Sequence, residues 1–254
     1  MTRLDPNREL DTFTSRVKES HRRYIDLYNA VSGSANATDL RRGLATDAAF
    51  RLGSEWESFQ HRWHIAAIAT DPKRLIESQT KTLNAKIESL PKGTRDVFGV
   101  NVTHSRKTSL TRVEIESLVD QDGRNITFKD AADWGKVSAS VLVGACHQRV
   151  SAVSGDAVQA SLIDLLKALR NAIAHSSDNS IKLLNLSVRP RADDIGLTGD
   201  ANAPFVLSKY SAGNVGKYLH SWTHEKQADR LKAEGTRASL LHRRMLAISK
   251  NLRL

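Results

Sequence analysis

The stretch LRNAIAHSS, residues 169–177, sets Arg170, Asn171 and His175 close together in what reads as a helix. These residue types suit phosphoryl chemistry. An imidazole that titrates near neutrality can take or give a proton. A guanidinium can grip two phosphate oxygens and stabilise charge that builds on them. An amide can orient the imidazole or hold a phosphate oxygen. RNA supplies its own nucleophile, the 2′-OH, so such a set needs no metal to act on it. The spacing alone carries little weight. Nine His and 23 Arg among 254 residues give roughly one Arg-x4-His by chance, and three occur: Arg16 with His21, Arg170 with His175, and Arg237 with His242.

Helix geometry separates the middle pair from a core pattern. Leu162, Leu165, Leu166, Leu169 and Ile173 form one apolar stripe. At about 100° per residue from Leu162, Asn171 falls near about 180°, His175 near about 220° and Arg170 near about 80°. Asn171 and His175, four residues apart, can touch. Arg170 and His175 differ by about 140°, which a second helix or a second subunit could close. Ala172 and Ala174 leave room for either. A catalytic pair, an RNA- or partner-binding pair and a plain polar helix end all remain open on this geometry.

The other candidates read as structural. His61 with His64, and His220 with His224, could in principle bind metal, but neither pair has the Glu of an HExxH arrangement, and surface histidines are the expectation. The Trp56–Phe59–Trp63 stripe reads as core, and RPRAD and LHRRM as solvated basic faces. The single cysteine, Cys146, excludes an internal disulfide and a thiolate zinc cage, and reads as a small buried hydrophobe. No metal and no cofactor are expected.

These residues need helices to hold them. A first helix is expected over about 7–31, where Phe13, Val17, Tyr24, Leu27 and Val31 recur at helical spacing. SGSANATDL breaks it, and Thr38 or Asp39 could cap a second. That second helix carries Ala45, Ala49, Leu52, Trp56, Phe59, Trp63 and Ala67 on one stripe and ends near TDP. A third, with Pro72 in its first turn, runs to about Leu90. Residues 92–130 read as a small irregular insertion, with short β-like runs and an Asp-Gly turn in QDGRNITF. A helix is expected over Asp130–Val153, and Asp156 could cap the one that bears LRNAIAHSS. SSDNS reads as a loop, Pro190, Gly199 and Pro204 mark turns, and helices return from about Val215. The fold class is all-α, a single domain with its core at about 5–185 and a helical extension at about 213–254.

The net charge of +10, spread along the chain, favours a polyanionic partner, RNA above all. The first residues lack a signal-peptide core, and no apolar run is long enough to span a bilayer. A cytoplasmic protein with no membrane contact is expected.

LRNAIAHSS resembles the signature of the HEPN superfamily: an Arg, a polar residue that is often Asn, a few small or apolar residues, and a His near a helix end. Members of that superfamily often carry an acidic residue just before an aromatic on an earlier helix. SEWESFQHRW offers Glu57, two residues before Phe59, with Glu55 also available. DGRNITF is similar to the insertion of RiboL-PSP-HEPN-like members. The resemblance spans about residues 5–185. It implies an antiparallel helical bundle and a homodimeric, metal-independent endoribonuclease with Arg170, Asn171, His175 and Glu57 at its site. A toxin or phage-defence effector, with an antitoxin or regulatory partner, is the implied setting. The alternative is a non-catalytic module of the same fold that binds RNA, a nucleotide or a protein.

Overall fold

Asp5 starts the first helix, α1 (Pro6–Ala30): its carboxylate accepts from the Asn7 N–H at 2.9 Å, and Pro6 follows where its missing N–H loses no helix bond. The structure, a computed structural model, describes residues 4–98, 107, 109–119, 126–190, 196–207, 214–221 and 232–254. A short 3-10 turn leads to α2 (Ala37–Thr70), the longest helix. Glu9 pairs with Arg62, Arg16 with Glu55, and Arg41 donates to the Tyr28 carbonyl, so α1 and α2 run antiparallel. All seven residues of the expected stripe, from Ala45 to Ala67, are buried. Phe13 of α1 stacks on Phe59 and meets Trp56 edge-on.

Pro72 precedes α3 (Lys73–Glu88) as its cap residue. Two short helices follow, α4 (Lys92–Phe98) and α5 (Arg112–Val119). This corrects the β-like reading of that region where it is described. The apolar runs there are too short to fix a period, and α5 is held by packing Ile115 against the core and by Glu114 on the Thr111 N–H. The Asp-Gly turn lies outside the described residues. Among the described residues there is no strand, only one isolated bridge between Pro190 and Leu197. The all-α expectation holds.

The helix expected over Asp130–Val153 is two, α6 (Ala131–Val141) and α7 (Gly144–Gly155). Leu142 and Val143 are extended, and Gly144 takes φ +53, a conformation few other residues tolerate. The break lets Leu142 bury completely. Asp130 caps α6, and Asp156 caps α8 (Ala157–His175) by accepting from the Gln159 N–H at 2.9 Å. SSDNS is not a loop. Ser176 turns the chain with φ 46, and Ser177 at once caps α9 (Asp178–Ser187). A 3-10 segment, Asp200–Phe205, carries Pro204.

The last helices, α10 (Val215–His220) and α11 (Arg237–Lys250), join the same core. Both pack on α2 and α8, and α11 also lies on α1, burying Leu240, Leu241, Met245 and Leu252. Cys146 is buried, as expected of a small hydrophobe. Of the basic face at LHRRM, Arg243 is exposed while His242 and Met245 are buried, and most of RPRAD lies outside the described residues. No described helix is long and apolar enough to cross a membrane.

Candidate functional site

α8 lies against α2 so closely that only a glycine fits between them. A Cβ on Gly53 would come within 2.7 Å of Arg170 Cβ. The contact puts Arg170 on the polar side of α2, where Ser54, Glu57, Ser58 and His61 recur at helical spacing away from the tryptophan stripe. Leu162, Leu165, Leu166 and Leu169, all buried, anchor α8 from its other side.

Arg170 has two partners. Its Nε stands 3.4 Å from Glu57 Oε2, and its Nη1 donates to Asn171 Oδ1 at 2.9 Å. Glu55 points elsewhere, to Arg16 of α1 at 3.3 Å. Of the two acidic candidates, Glu57 is therefore the one beside Arg170. Both side chains of that pair are about a quarter exposed, enough to meet a ligand.

They line an open cleft of about 850 Å³ between α2, α5 and α8. Arg62 and His61 of α2 and Arg112 and Glu116 of α5 complete its charged wall. Arg112 Nε donates to Glu116 Oε1 at 2.7 Å. His61 Nδ1 accepts from the Ile126 N–H at 3.0 Å, and its Nε2 faces Glu116 at 3.8 Å.

His175 stands apart. It is the last residue of α8, exposed, and it lines neither this cleft nor the next. Its imidazole makes no hydrogen bond or ion pair with the described residues. Five residues of helix put it about 7.5 Å along the axis from Arg170 and about 140° round. Arg170, Asn171 and Glu57 are brought together within one chain, and His175 is not brought to them.

No protein-family model, curated protein or solved structure matches this chain.

Asn171 lines a second cavity of about 570 Å³, with Lys129, Asp130, Asp164 and Lys167. Burial pushes the Asp164 carboxyl up to about 6, although the Ala131 N–H donates to it at 2.8 Å. Burial likewise lowers the Lys167 ammonium. Asn171 does not line the first cleft; it reaches it only by accepting from Arg170.

His21, His61, His64, His220 and His242 are packed within the fold. His21 and His242, which share the Arg-x4-His spacing, stack on each other with ring centroids 5.2 Å apart where α1 meets α11. His242 Nδ1 donates to the Ala238 carbonyl at 2.8 Å, and burial lowers its pKa to about 4. Their arginines are committed too, Arg16 to Glu55 and Arg237 to the Pro204 carbonyl. His61 and His64 are not surface residues, contrary to expectation. His64 is fully buried against Phe128, and burial drives its pKa to about 3. His220 packs on Tyr28, and His224 lies outside the described residues. Counting only the apolar stripe of α2 hides His61. The polar recurrence of Ser54, Glu57, Ser58 and His61 is the signal that would have found it. Arg112 and Glu116 had no such signal, because nothing local in α5 says it faces α2.

Proposed function

We propose that this chain is a metal-independent endoribonuclease of HEPN type, acting as a homodimer. One observation carries most of the weight. Of the three Arg-x4-His pairs, two have their histidines packed against each other, and only Arg170 and His175 keep a cleft-lining guanidinium and an exposed imidazole. Arg170, held by Glu57 and Asn171, binds the scissile phosphate and the charge that develops on it. His175 moves the proton, from the attacking 2′-OH or to the leaving 5′-oxygen. A two-fold dimer in which α8 faces its symmetry mate brings His175 of one protomer to Arg170 of the other. The charge of +10 supports RNA as the partner. The toxin or phage-defence role, and a regulatory partner such as an antitoxin, rest on the resemblance of LRNAIAHSS alone.

The separation of Arg170 from His175 along one helix favours a second reading, a module that binds RNA or a nucleotide without cleaving it. Cleavage assays on purified protein distinguish the two. Wild type cleaves single-stranded RNA; His175→Ala and Arg170→Ala each lose roughly 10²-fold or more, while His21→Ala, which removes a histidine stacked on His242 and hydrogen-bonded to Ser239, retains cleavage in protein that remains folded. A folded dimer that cleaves no RNA supports the binding module instead. A protein that sediments only as a monomer at micromolar concentration removes the shared site.

A further inference from the structure

The cleft holds more chemistry than the Arg170–Glu57 pair uses. Three guanidiniums line it, from Arg62, Arg112 and Arg170, and each is only partly occupied. A guanidinium has five N–H donors. Arg112 donates one hydrogen bond to Glu116, and Arg62 one to Glu9, while Arg62 Nη2 is buried without a hydrogen-bond partner. Arg170 Nε, though near Glu57, is also buried without a hydrogen bond. Those two nitrogens are covered, so the donors open to the space are the remaining N–H groups of the half-exposed Arg112 and the quarter-exposed Arg170.

Acceptors face the same space. The carboxylates of Glu57 and Glu116 line it beside the guanidiniums, so the lining side chains carry three positive and two negative charges. A bare anion such as phosphate would meet both carboxylates. A ligand that joins an anion to hydroxyl or amine donors satisfies both signs. His61 adds a donor of fixed identity. Its Nδ1 accepts from the Ile126 N–H, so the proton of the neutral ring sits on Nε2, toward Glu116 and the cleft. At about 850 Å³ the space lies within the range of small-molecule pockets, roughly 300–1,000 Å³.

We propose that the α2–α5–α8 cleft binds one ribonucleoside monophosphate unit. Arg112 and Arg170 hold its phosphate, and Glu57 and Glu116 accept from its sugar hydroxyls or base amines. The proposal deepens the ribonuclease reading, and rests on it for the strand to which the unit belongs. The cleft then selects the nucleotide beside the scissile phosphate, and all its groups come from one protomer.

The test is calorimetric titration of the full-length protein with each of the four ribonucleoside 3′-monophosphates, and separately with inorganic phosphate, at fixed low salt. At least one nucleotide binds, one per protomer, roughly tenfold or more tighter than phosphate. Arg112→Gln on the half-exposed α5 weakens that binding by roughly tenfold or more. His61→Gln, which keeps a side-chain N–H donor, binds better than His61→Leu. If none of the four binds at millimolar concentration, if phosphate binds as tightly, or if Arg112→Gln binds like wild type, the cleft is not a nucleotide site. The two readings fail separately. Nucleotide binding without RNA cleavage removes the ribonuclease and leaves the cleft; RNA cleavage without nucleotide binding removes the cleft proposal alone.

Discussion

Gly53→Ala tests whether the α2–α8 contact sets the position of Arg170. The new Cβ would lie 2.7 Å from Arg170 Cβ and 3.1 Å from its Cγ. Carbon atoms rest at about 3.5–4.0 Å, so the helices must part, or Arg170 must shift, by about 1 Å. Overpacking of this kind costs about 1–3 kcal/mol. Alanine in place of a helical glycine returns about 1 kcal/mol. The net expectation is a loss of between about zero and 2 kcal/mol. Gly43 on the same helix is the control, because a Cβ there meets nothing within 4 Å. Gly43→Ala should gain up to about 1 kcal/mol. Urea unfolding of the two variants measures the difference directly. A displacement of about 1 Å at Arg170 should also lower RNA cleavage by up to about 10²-fold, while Gly43→Ala leaves it unchanged. If Gly53→Ala stabilises as much as Gly43→Ala and cleaves RNA at the wild-type rate, the close approach does not position Arg170.

Other expectations follow from the same geometry. Arg170→Lys keeps the charge but loses the planar grip on phosphate and the hold of Asn171, so cleavage should fall nearly as far as in Arg170→Ala; full activity in kinetic assays of the lysine variant would contradict a guanidinium role. Mixing Arg170→Ala with His175→Ala chains should restore activity in the heterodimer, since one of its two sites is then intact; a mixture as inactive as either parent argues for a site within one chain. Asp164→Asn should stabilise the protein at neutral pH. The folded-state value of about 6 lies above the ordinary 3.8, so the wild-type carboxyl stabilises the fold relative to its ionised state only at low pH. That advantage is complete below 3.8 and is lost as pH rises through about 6, a span worth about 3 kcal/mol. The gap between variant and wild type, followed by thermal unfolding, should therefore open between those two pH values and close at acid pH; a gap independent of pH contradicts the burial argument.

The long helices were legible because their patterns are long. α1, α2 and α8 each repeat an apolar stripe over many residues; every stripe residue of α2 is buried, as are Phe13, Val17 and Tyr24 of α1 and the four leucines of α8, whereas Leu27 is exposed and Val31 and Ile173 are only partly buried. Asp156 was legible as a cap because an Asp after a glycine, ahead of such a stripe, has few other uses. The split at Leu142–Gly144 was not. A glycine within a helical pattern is tolerated often enough that only the tertiary demand to bury Leu142 decides it. The short loop read at SSDNS failed for a related reason: two serines can close one helix and cap the next within two residues. At the site, Arg170 and Asn171 came from spacing and context. The cleft beside Arg170 did not, because α5 has no local feature that directs it to α2. His61 was read as a surface histidine because its buried setting depends on the Ile126 segment, far away in sequence.

End-group analysis of cleaved RNA, with EDTA present, tests the central claim most directly. If Arg170 and His175 drive attack by the 2′-OH, the products carry 2′,3′-cyclic phosphate or 3′-phosphate ends and 5′-OH ends. Chelator leaves the rate unchanged, because no metal activates water. RNA with a single 2′-deoxy sugar at the cut position resists, since the attacking oxygen is gone. Products with 5′-phosphate ends, or cleavage that stops with EDTA, would contradict the mechanism even in a protein that proved to be a nuclease.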